Sequence, residues 1–263
     1  MLQRQRMKRV ERPVSASQPP AYSAAVAEAM LAGDRSLRRA FLQTTPRVAE
    51  RDQVIVEAGA TDAAAFLIRQ GVAFRSLTAA DGRRAVADLL LPGDVVGLDS
   101  IVRRQSDGEV VAANSVSYAP MPAANLRQLI EDASVRLRVM SLLIEAQQRA
   151  DRHVFALARL DAQERIASCL IGVYDRLRRR QLISRPTFNL PLTQDQLADY
   201  LGLTPVHVSR TLKRLREERL ASVDRQVVIL RDVPRLRALA AGGETGTLDE
   251  ENVLPPPRGI RVR

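Results

Sequence analysis

The sequence predicts an α+β chain in which a strand-rich N-terminal domain and a helical C-terminal domain are joined by one long helix. Three observations lead to this prediction. Short apolar segments separated by turn residues fill 51–118, a stretch without glycine or proline covers 133–157, and a series of short capped helices follows from 161. Strands at this spacing are typical of a small antiparallel β-barrel or jelly roll.

Turn residues in the strand-rich segment fall where the chain must reverse. Gly59, Gly71 and the pairs Asp81-Gly82 and Asp107-Gly108 each follow a short apolar run, as does the triplet Pro92-Gly93-Asp94. No helical periodicity is interleaved with these runs, which argues against a parallel βαβ fold.

The same patterns divide the chain into five segments. Residues 1–22 and 242–263 have the composition of disordered tails, and the first of them is basic. We expect the barrel and its flanking helices in 23–132, a dimerisation helix and hinge in 133–160, and the helical domain in 161–241.

The long helix carries a narrow apolar seam. Leu137, Met140 and Ile144 follow one another at spacings of three and four, and beyond the polar Gln147 the seam continues at Val154. A long helix with such a seam usually pairs with another helix, here most simply its own copy. The alternative is that the seam packs on this chain's own barrel.

The C-terminal domain begins at a helix start signal. Asp161, with Glu164 three residues later, has the pattern of a capping box, which places a break in the chain near residue 160. Thr193 with Gln196 repeats this pattern at the start of a short helix.

A second short helix follows after a tight turn. Gly202 separates the two helices, Thr204 is the predicted N-cap and Pro205 occupies the first helical position. Two short strands around Asp224 and Arg225 then predict a β-hairpin. This order of elements predicts a winged helix-turn-helix.

Composition narrows the possible functions. The 263 residues carry a formal net charge of +10, which favours nucleic acid as a partner, with an anionic membrane surface second. One cysteine and two histidines exclude a disulfide framework and an iron-sulfur cluster, and predict neither a metal site nor an enzyme. No segment resembles a signal peptide or a membrane span, so we expect a cytoplasmic protein without membrane contact.

The second short helix is apolar on one side and basic on another. Its core-facing stripe is predicted to comprise Val208, Leu212 and Leu215. A helix can enter the major groove of DNA, where the Arg210 guanidinium could donate two hydrogen bonds to guanine. The side chains better suited to phosphates are Lys213, Arg214 and Arg216. The alternative is the solvated basic face of an ordinary helix, which the caps, the glycine turn and the hairpin disfavour.

Three further side chains need an interpretation. His207 could contact a base or phosphate, respond to pH or simply lie exposed, and we favour a contact. His153 is expected to be packed or solvated rather than a metal ligand, and Cys169 to be a small buried apolar side chain.

In this order, barrel, long helix, hinge and winged helix-turn-helix resemble the CRP/FNR family of bacterial transcription regulators over about 45–240. The most specific match is LTQDQLADYLGLTPVHVSRTLKRL, supported by LPGDVVGL and GVAFRSLTAADGRRAV. The resemblance implies a cyclic-nucleotide-binding-like barrel, a homodimer on an inverted repeat in double-stranded DNA, and contacts to RNA polymerase. Recognition helices would then enter successive major grooves about 34 to 36 Å apart.

Carried over to this sequence, the resemblance assigns Thr193 and Gln194 to phosphate contact, and Ser209 with Arg210 to base reading. Family members that read the common half-site have glutamate where this chain has Val206, and many cyclic-AMP-responsive members have arginine at the position of Pro205. Valine cannot accept a hydrogen bond from cytosine N4 but can contact a thymine methyl, so we expect a different operator. The predicted DNA-contacting residues are Thr193, Gln194, Thr204, Pro205, Val206, His207, Ser209, Arg210, Lys213 and Arg214.

The resemblance also bears on the effector. Cyclic-AMP-binding members hold the cyclic phosphate with an Arg-Ser pair, where the best alignment places Ser106 and Asp107. The Asp107 carboxylate would repel a phosphate, which speaks against cyclic AMP, although a shifted loop could bring Arg103 or Arg104 into use. The oxygen-sensing members need several N-terminal cysteines, which this chain lacks. We therefore expect no cofactor and leave open an unknown small-molecule effector.

Two other classes of function are alternatives to DNA binding. A ligand-sensing module could act through protein partners without sequence-specific DNA binding. An enzyme could use the barrel pocket, but the chain lacks the histidine ligands of barrel-shaped metalloenzymes.

Overall fold

A computed structural model describes residues 35–61, 64–103 and 105–242. The predicted tail 1–22 lies outside these residues, as does the predicted tail 242–263 apart from Gly242.

Two four-stranded antiparallel sheets form the N-terminal domain. Their strands are β1 (Arg47–Ala49), β2 (Val54–Val56), β3 (Ala64–Gln70), β4 (Ala73–Thr78), β5 (Arg84–Leu90), β6 (Val95–Val96), β7 (Glu109–Ala112) and β8 (Val116–Pro122). The first sheet has the order β1-β8-β3-β6 and the second the order β2-β7-β4-β5. The predicted antiparallel jelly-roll architecture is confirmed. It takes the form of two packed sheets, because no hydrogen-bonded ladder joins them within the described residues. We call this unit the sandwich.

Three helices accompany the first sheet. They are α1 (Arg35–Gln43), α2 (Ala123–Leu129) and α3 (Ala133–Arg159), and a 3-10 turn covers Leu98–Ile101. The long helix begins at Asp132, whose carboxylate accepts hydrogen bonds from the amides of Ser134 and Val135. It ends at Leu160, which is extended with φ −90° and ψ 146°, so the predicted break near 160 is confirmed.

Along the strands, alternate side chains pack into two different apolar cores. Leu90 faces the interior between the sheets, whereas its neighbours Leu89 and Leu91 face the C-terminal domain. In the first sheet, Phe66 points to the interior and Leu67 to the helices. The second sheet is therefore buried on both faces.

The C-terminal domain is a winged helix-turn-helix, as predicted. Its elements are α4 (Ala162–Arg179), β9 (Thr187–Asn189), α5 (Gln194–Leu201), α6 (Pro205–Glu217), β10 (Ala221–Asp224), β11 (Val227–Leu230) and α7 (Val233–Ala240). The wing is a three-stranded sheet of order β10-β11-β9. Sequence reasoning anticipated the hairpin but neither β9 nor α7.

Capping signals read from the sequence are present at all three helix starts. Reciprocal capping boxes join Asp161 with Glu164 and Thr193 with Gln196. Thr204 caps α6, with Pro205 as its first residue. Of the helices in the described part of the chain, none combines the length and apolar character that a membrane span requires.

Candidate nucleic-acid interface

Helix α6 is held at a fixed angle to α5 by the turn between them. Gly202 ends α5 in the left-handed region, with φ 62° and ψ 40°. The Thr204 hydroxyl then accepts a hydrogen bond from the His207 amide at 3.2 Å. These contacts fix where the first turn of α6 begins.

One side of α6 is fully buried. Val208 and Leu215 have no exposed surface, and Leu212 is partly buried against the same core. This matches the stripe predicted from the sequence. The opposite side of the helix is therefore the side that a DNA groove could receive.

The exposed side of the first two turns carries an apolar group beside a basic one. Val206 is 58% exposed, and His207, Ser209 and Arg210 are exposed as well. Val206 and Arg210 are four residues apart, so they share one helix face. Arg210 makes no ion pair or side-chain hydrogen bond with the described residues, which leaves its donors available to a ligand.

Farther along α6 the basic side chains are paired. Lys213 Nζ lies 3.8 Å from Glu217, and Arg214 Nε donates to Glu218 Oε1 at 2.8 Å. Glu218 also accepts a hydrogen bond from the Gln163 amide group at 2.6 Å, which ties it to the first turn of α4. The hydrogen bond from Arg214 lowers the pKa of Glu218. The side chain of Arg214, which is predicted to contact phosphate, is therefore held in place by Glu218 and Gln163.

The start of α5 presents the other two predicted contact residues. The Thr193 hydroxyl accepts from the Gln196 amide at 3.1 Å, and the Gln196 side chain accepts from the Thr193 amide at 2.9 Å. Gln194 is exposed at the first helical position. Free amides at a helix N-terminus favour an anion, which is compatible with phosphate contact there.

Sequence reasoning missed a residue that locks the turn in place. Arg165 on α4 donates hydrogen bonds to the carbonyl of Leu160 at 2.8 Å and to that of Leu201 at 3.2 Å. It therefore joins the hinge to the end of α5. No local pattern marks this role, since its partners are backbone carbonyls of distant residues.

His153, expected to be packed or solvated, is packed in the structure, and Cys169 is buried as expected. The ring of His153 stacks on Tyr200 of α5, with centroids 4.2 Å apart. Cys169 is buried, and its burial raises the pKa of the thiol to about 12. Within the described residues, no group of three or more His, Cys, Asp or Glu side chains could hold a metal ion.

The seam predicted on α3 is exposed. Leu137, Met140, Ile144 and Val154 are each more than half exposed, and Gln147 is exposed between them. The side of α3 that packs on the first sheet carries instead Val135, Val139 and Leu142. The seam therefore does not pack on this chain's own sandwich.

The loop aligned with the phosphate-binding pair is occupied by its own contacts. Arg103 lies 2.6 Å from the Asp107 carboxylate, and the Ser106 hydroxyl donates to the Gly108 carbonyl at 2.8 Å. Arg104 lies outside the described residues. The interior between the sheets is apolar, with the rings of Phe66 and Tyr118 in edge contact at 5.6 Å.

Comparison with known proteins identifies both domains. Residues 46–133 match the family model of the cyclic nucleotide-binding domain, and residues 164–239 match that of the Crp-like helix-turn-helix domain. Together they cover more than half of the chain. The chain belongs to the CRP/FNR family.

Similar proteins place this CRP/FNR chain among DNA-binding regulators. It is 33% identical over 162 residues to the nitrogen fixation regulation protein FixK of Bradyrhizobium diazoefficiens, covering 61% of this chain and 67% of that protein. It is 31% identical over 183 residues to the transcriptional activator protein FnrL of Cereibacter sphaeroides, covering 68% and 73%. The structure of FixK2 from Bradyrhizobium japonicum matches with a TM-score of 0.67 at 25% identity, over 74% of this chain and 96% of that one. The protein is a DNA-binding transcription regulator, and its family is not enzymatic.

Proposed function

We propose that this CRP/FNR regulator acts as a homodimer on an inverted-repeat operator, with one α6 in each of two successive major grooves. The observation that supports this most directly is the exposed pair Val206 and Arg210 at the start of α6. A guanidinium without an internal partner can donate two hydrogen bonds to guanine O6 and N7, and the valine can contact a thymine methyl. The operator would then differ from one read by a glutamate at position 206.

The other predicted contact residues supply affinity. Thr193, Gln194 and the start of α6 at Thr204 and Pro205 would lie along the phosphates, where amides and hydroxyls bind without reading sequence. His207 would contact a base or a phosphate, and Ser209 would take part with Arg210 in base reading. Lys213 and Arg214, paired with glutamates, would contribute mainly to salt-dependent affinity.

Substitution of Arg210 tests this assignment. In the full-length chain, Arg210→Ala should weaken operator binding by about 1 to 3 kcal/mol and relax preference at one base pair, because a bidentate guanine contact is lost. The matched control is Arg216→Ala on the same helix, an exposed arginine assigned to phosphate. Arg216→Ala should weaken binding to all DNA sequences alike, and it should reduce the salt dependence of the binding constant. Unchanged affinity and specificity in Arg210→Ala would exclude this docking.

The exposed seam of α3 supports the homodimer. An apolar stripe on a long helix that turns away from its own domain is stabilised by pairing with a second copy. Leu137, Met140, Ile144 and Val154 would pack against their counterparts, with the polar Gln147 between them. A parallel pair would set the two DNA-binding domains on one side of the dimer.

We further propose that any effector acts at the sandwich and that it is not cyclic AMP. The ion pair of Arg103 with Asp107 occupies the loop where a phosphate would need free cations. A single buried cysteine cannot hold an iron-sulfur cluster, so no cofactor is assigned. As a transcription regulator, the dimer would work in the cytoplasm and contact RNA polymerase.

A further inference from the structure

A buried ionic cluster lies where the sandwich, the dimer helix and the DNA-binding domain meet. Its centre is Asp94, in the turn between β5 and β6, which is 4% exposed. The turn is rigid, because Gly93 donates to the Ile68 carbonyl at 2.8 Å and the Ile68 amide donates to the Asp94 carbonyl at 2.9 Å. Asp94 Oδ2 also accepts from the Leu91 amide at 2.6 Å.

Two arginines at the C-terminal end of α4, Arg176 within the helix and its C-cap residue Arg180, reach this carboxylate from the DNA-binding domain. Arg176 donates to Asp94 Oδ2 and to the Leu89 carbonyl, the latter at 2.9 Å. Arg180, one turn later, donates to Asp94 Oδ1 at 2.7 Å and to the Pro92 carbonyl at 2.8 Å. Each guanidinium therefore holds one oxygen of the Asp94 carboxylate and one backbone carbonyl, Arg176 that of Leu89 at the end of β5 and Arg180 that of Pro92 in the turn.

The long helix joins the cluster from the third side. Arg149 of α3 lies 3.2 Å from the Asp88 carboxylate of β5 and is close enough to act on Asp94 as well. Burial alone would raise the pKa of Asp94, but Arg176, Arg180 and Arg149 together hold that pKa well below its ordinary value. The Asp94 carboxylate is therefore charged. It binds Arg176 and Arg180 beyond the hinge at residue 160, while Asp88 of the adjoining strand binds Arg149 before the hinge, so β5 and its turn connect helices on both sides.

Apolar packing and ionic pairing do different work at this junction. Leu89 at the end of β5 and Leu91 just beyond it belong to the same apolar core as Ile166 and Leu170 of α4. The hydrophobic attraction between such groups has no preferred direction, so it does not by itself fix one orientation of the domain. A buried carboxylate shared by two arginines has one favourable geometry, and replacing such groups by apolar ones often leaves stability unchanged.

We propose that Asp94 is a positioning residue, which fixes the angle of the DNA-binding domain to the dimer helix and so sets the half-site spacing that the dimer accepts. This inference rests on the proposed homodimer. In a dimer that binds two half-sites, the separation of the two α6 helices depends on the angle at each hinge. Releasing the carboxylate should widen the range of angles without altering the base-reading face of α6.

Operators with altered spacers test the inference in the full-length chain. For the wild type, adding or removing one base pair between the half-sites should cost about a hundredfold in affinity, because the second domain can no longer bind. For Asp94→Asn, the same change should cost less than about tenfold, while affinity for an isolated half-site stays as in the wild type. Asp94→Glu, which retains the carboxylate, should restore part of the discrimination.

Control variants separate positioning from folding. Like Asp94, Asp81 accepts hydrogen bonds from a guanidinium and from a backbone amide, here both of Arg83, but it does so at the surface. The Asp81→Asn variant should therefore show the same spacing discrimination as the wild type. If Asp94→Asn does not fold, Arg180→Gln is tested in the same spacer assay. It removes the ion pair of Arg180 with Asp94 and keeps that of Arg176. Spacing discrimination equal to wild type in a folded Asp94→Asn or Arg180→Gln would overturn the inference. A wild type with no spacing preference would instead refute the proposed dimeric mode of binding.

Discussion

Arg210 and Arg214 are exposed arginines one turn apart on α6, yet their surroundings assign them different work. Arg214 is held by Glu218, which is held in turn by Gln163 of α4. Arg210 makes no such contact with the described residues and keeps its donors for a ligand. Sequence reasoning assigned Arg210 to a base and Arg214 to phosphate, but it could not predict that Glu218 is anchored by Gln163, which lies 55 residues earlier in the chain.

His153 makes stability depend on pH near neutrality. Burial lowers its pKa, an effect that the Asp88 carboxylate partly opposes, so the folded chain favours the neutral ring. The unfolded chain binds the proton at a higher pH, so the free energy of unfolding should fall as the pH drops through about 6.5 towards the folded pKa. Urea unfolding at several pH values, compared with His153→Phe, measures this contribution. If the free energy of unfolding of His153→Phe depends on pH as steeply as that of the wild type, another group causes the pH dependence.

At the scale of elements, the caps were the most predictable features. Asp161, Thr193 and Thr204 start helices in the structure as they do in the sequence, because capping is a contact within four residues. Strand β9 and helix α7 were not predicted. Both are short and depend on distant partners, β9 on the wing strand β11 and α7 on α4.

The turn between α5 and α6 should be sensitive to a single methyl group. A Cβ at Gly202 would lie 3.1 Å from Leu157 Cδ2, and the positive φ disfavours any L side chain. Gly202→Ala should lower the free energy of unfolding by about 1 to 2 kcal/mol.

Gly172 provides a matched control for that substitution. It lies within α4, and a Cβ there would have no neighbour within 4 Å. Gly172→Ala should therefore raise the free energy of unfolding by about 0.5 to 1 kcal/mol, because alanine favours the helix. Denaturant titration measures both variants, and equal effects of the two would contradict the strained turn.

The seam of α3 should control assembly without affecting the fold. Ile144→Glu places a carboxylate in the proposed dimer contact, where it would be buried without a partner. We expect the dimer dissociation constant to rise about a hundredfold or more, measured by sedimentation, with unchanged helix content. Gln128→Glu adds the same charge at an exposed position of α2, away from the seam, and should leave the dimer intact. A dimer that survives Ile144→Glu would exclude this helix as the contact.

Considered whole, the molecule joins its two domains through a sheet that is buried on both faces. Sequence reasoning found the strands of this sheet but not the domain contact, because an uninterrupted run such as Leu89, Leu90 and Leu91 does not show which neighbour each face meets. Asp94 was assigned only to a turn for a similar reason. Its partners Arg176 and Arg180 lie more than 80 residues away in the chain.

Selection of bound sites from a random DNA pool tests the central claim most directly. The full-length protein should enrich an inverted repeat whose half-sites are centred about 34 to 36 Å apart, with guanine at the position read by Arg210. The position facing Val206 should favour thymine, and it should change in a Val206→Glu variant. Retention of DNA without enrichment of any sequence would contradict the account.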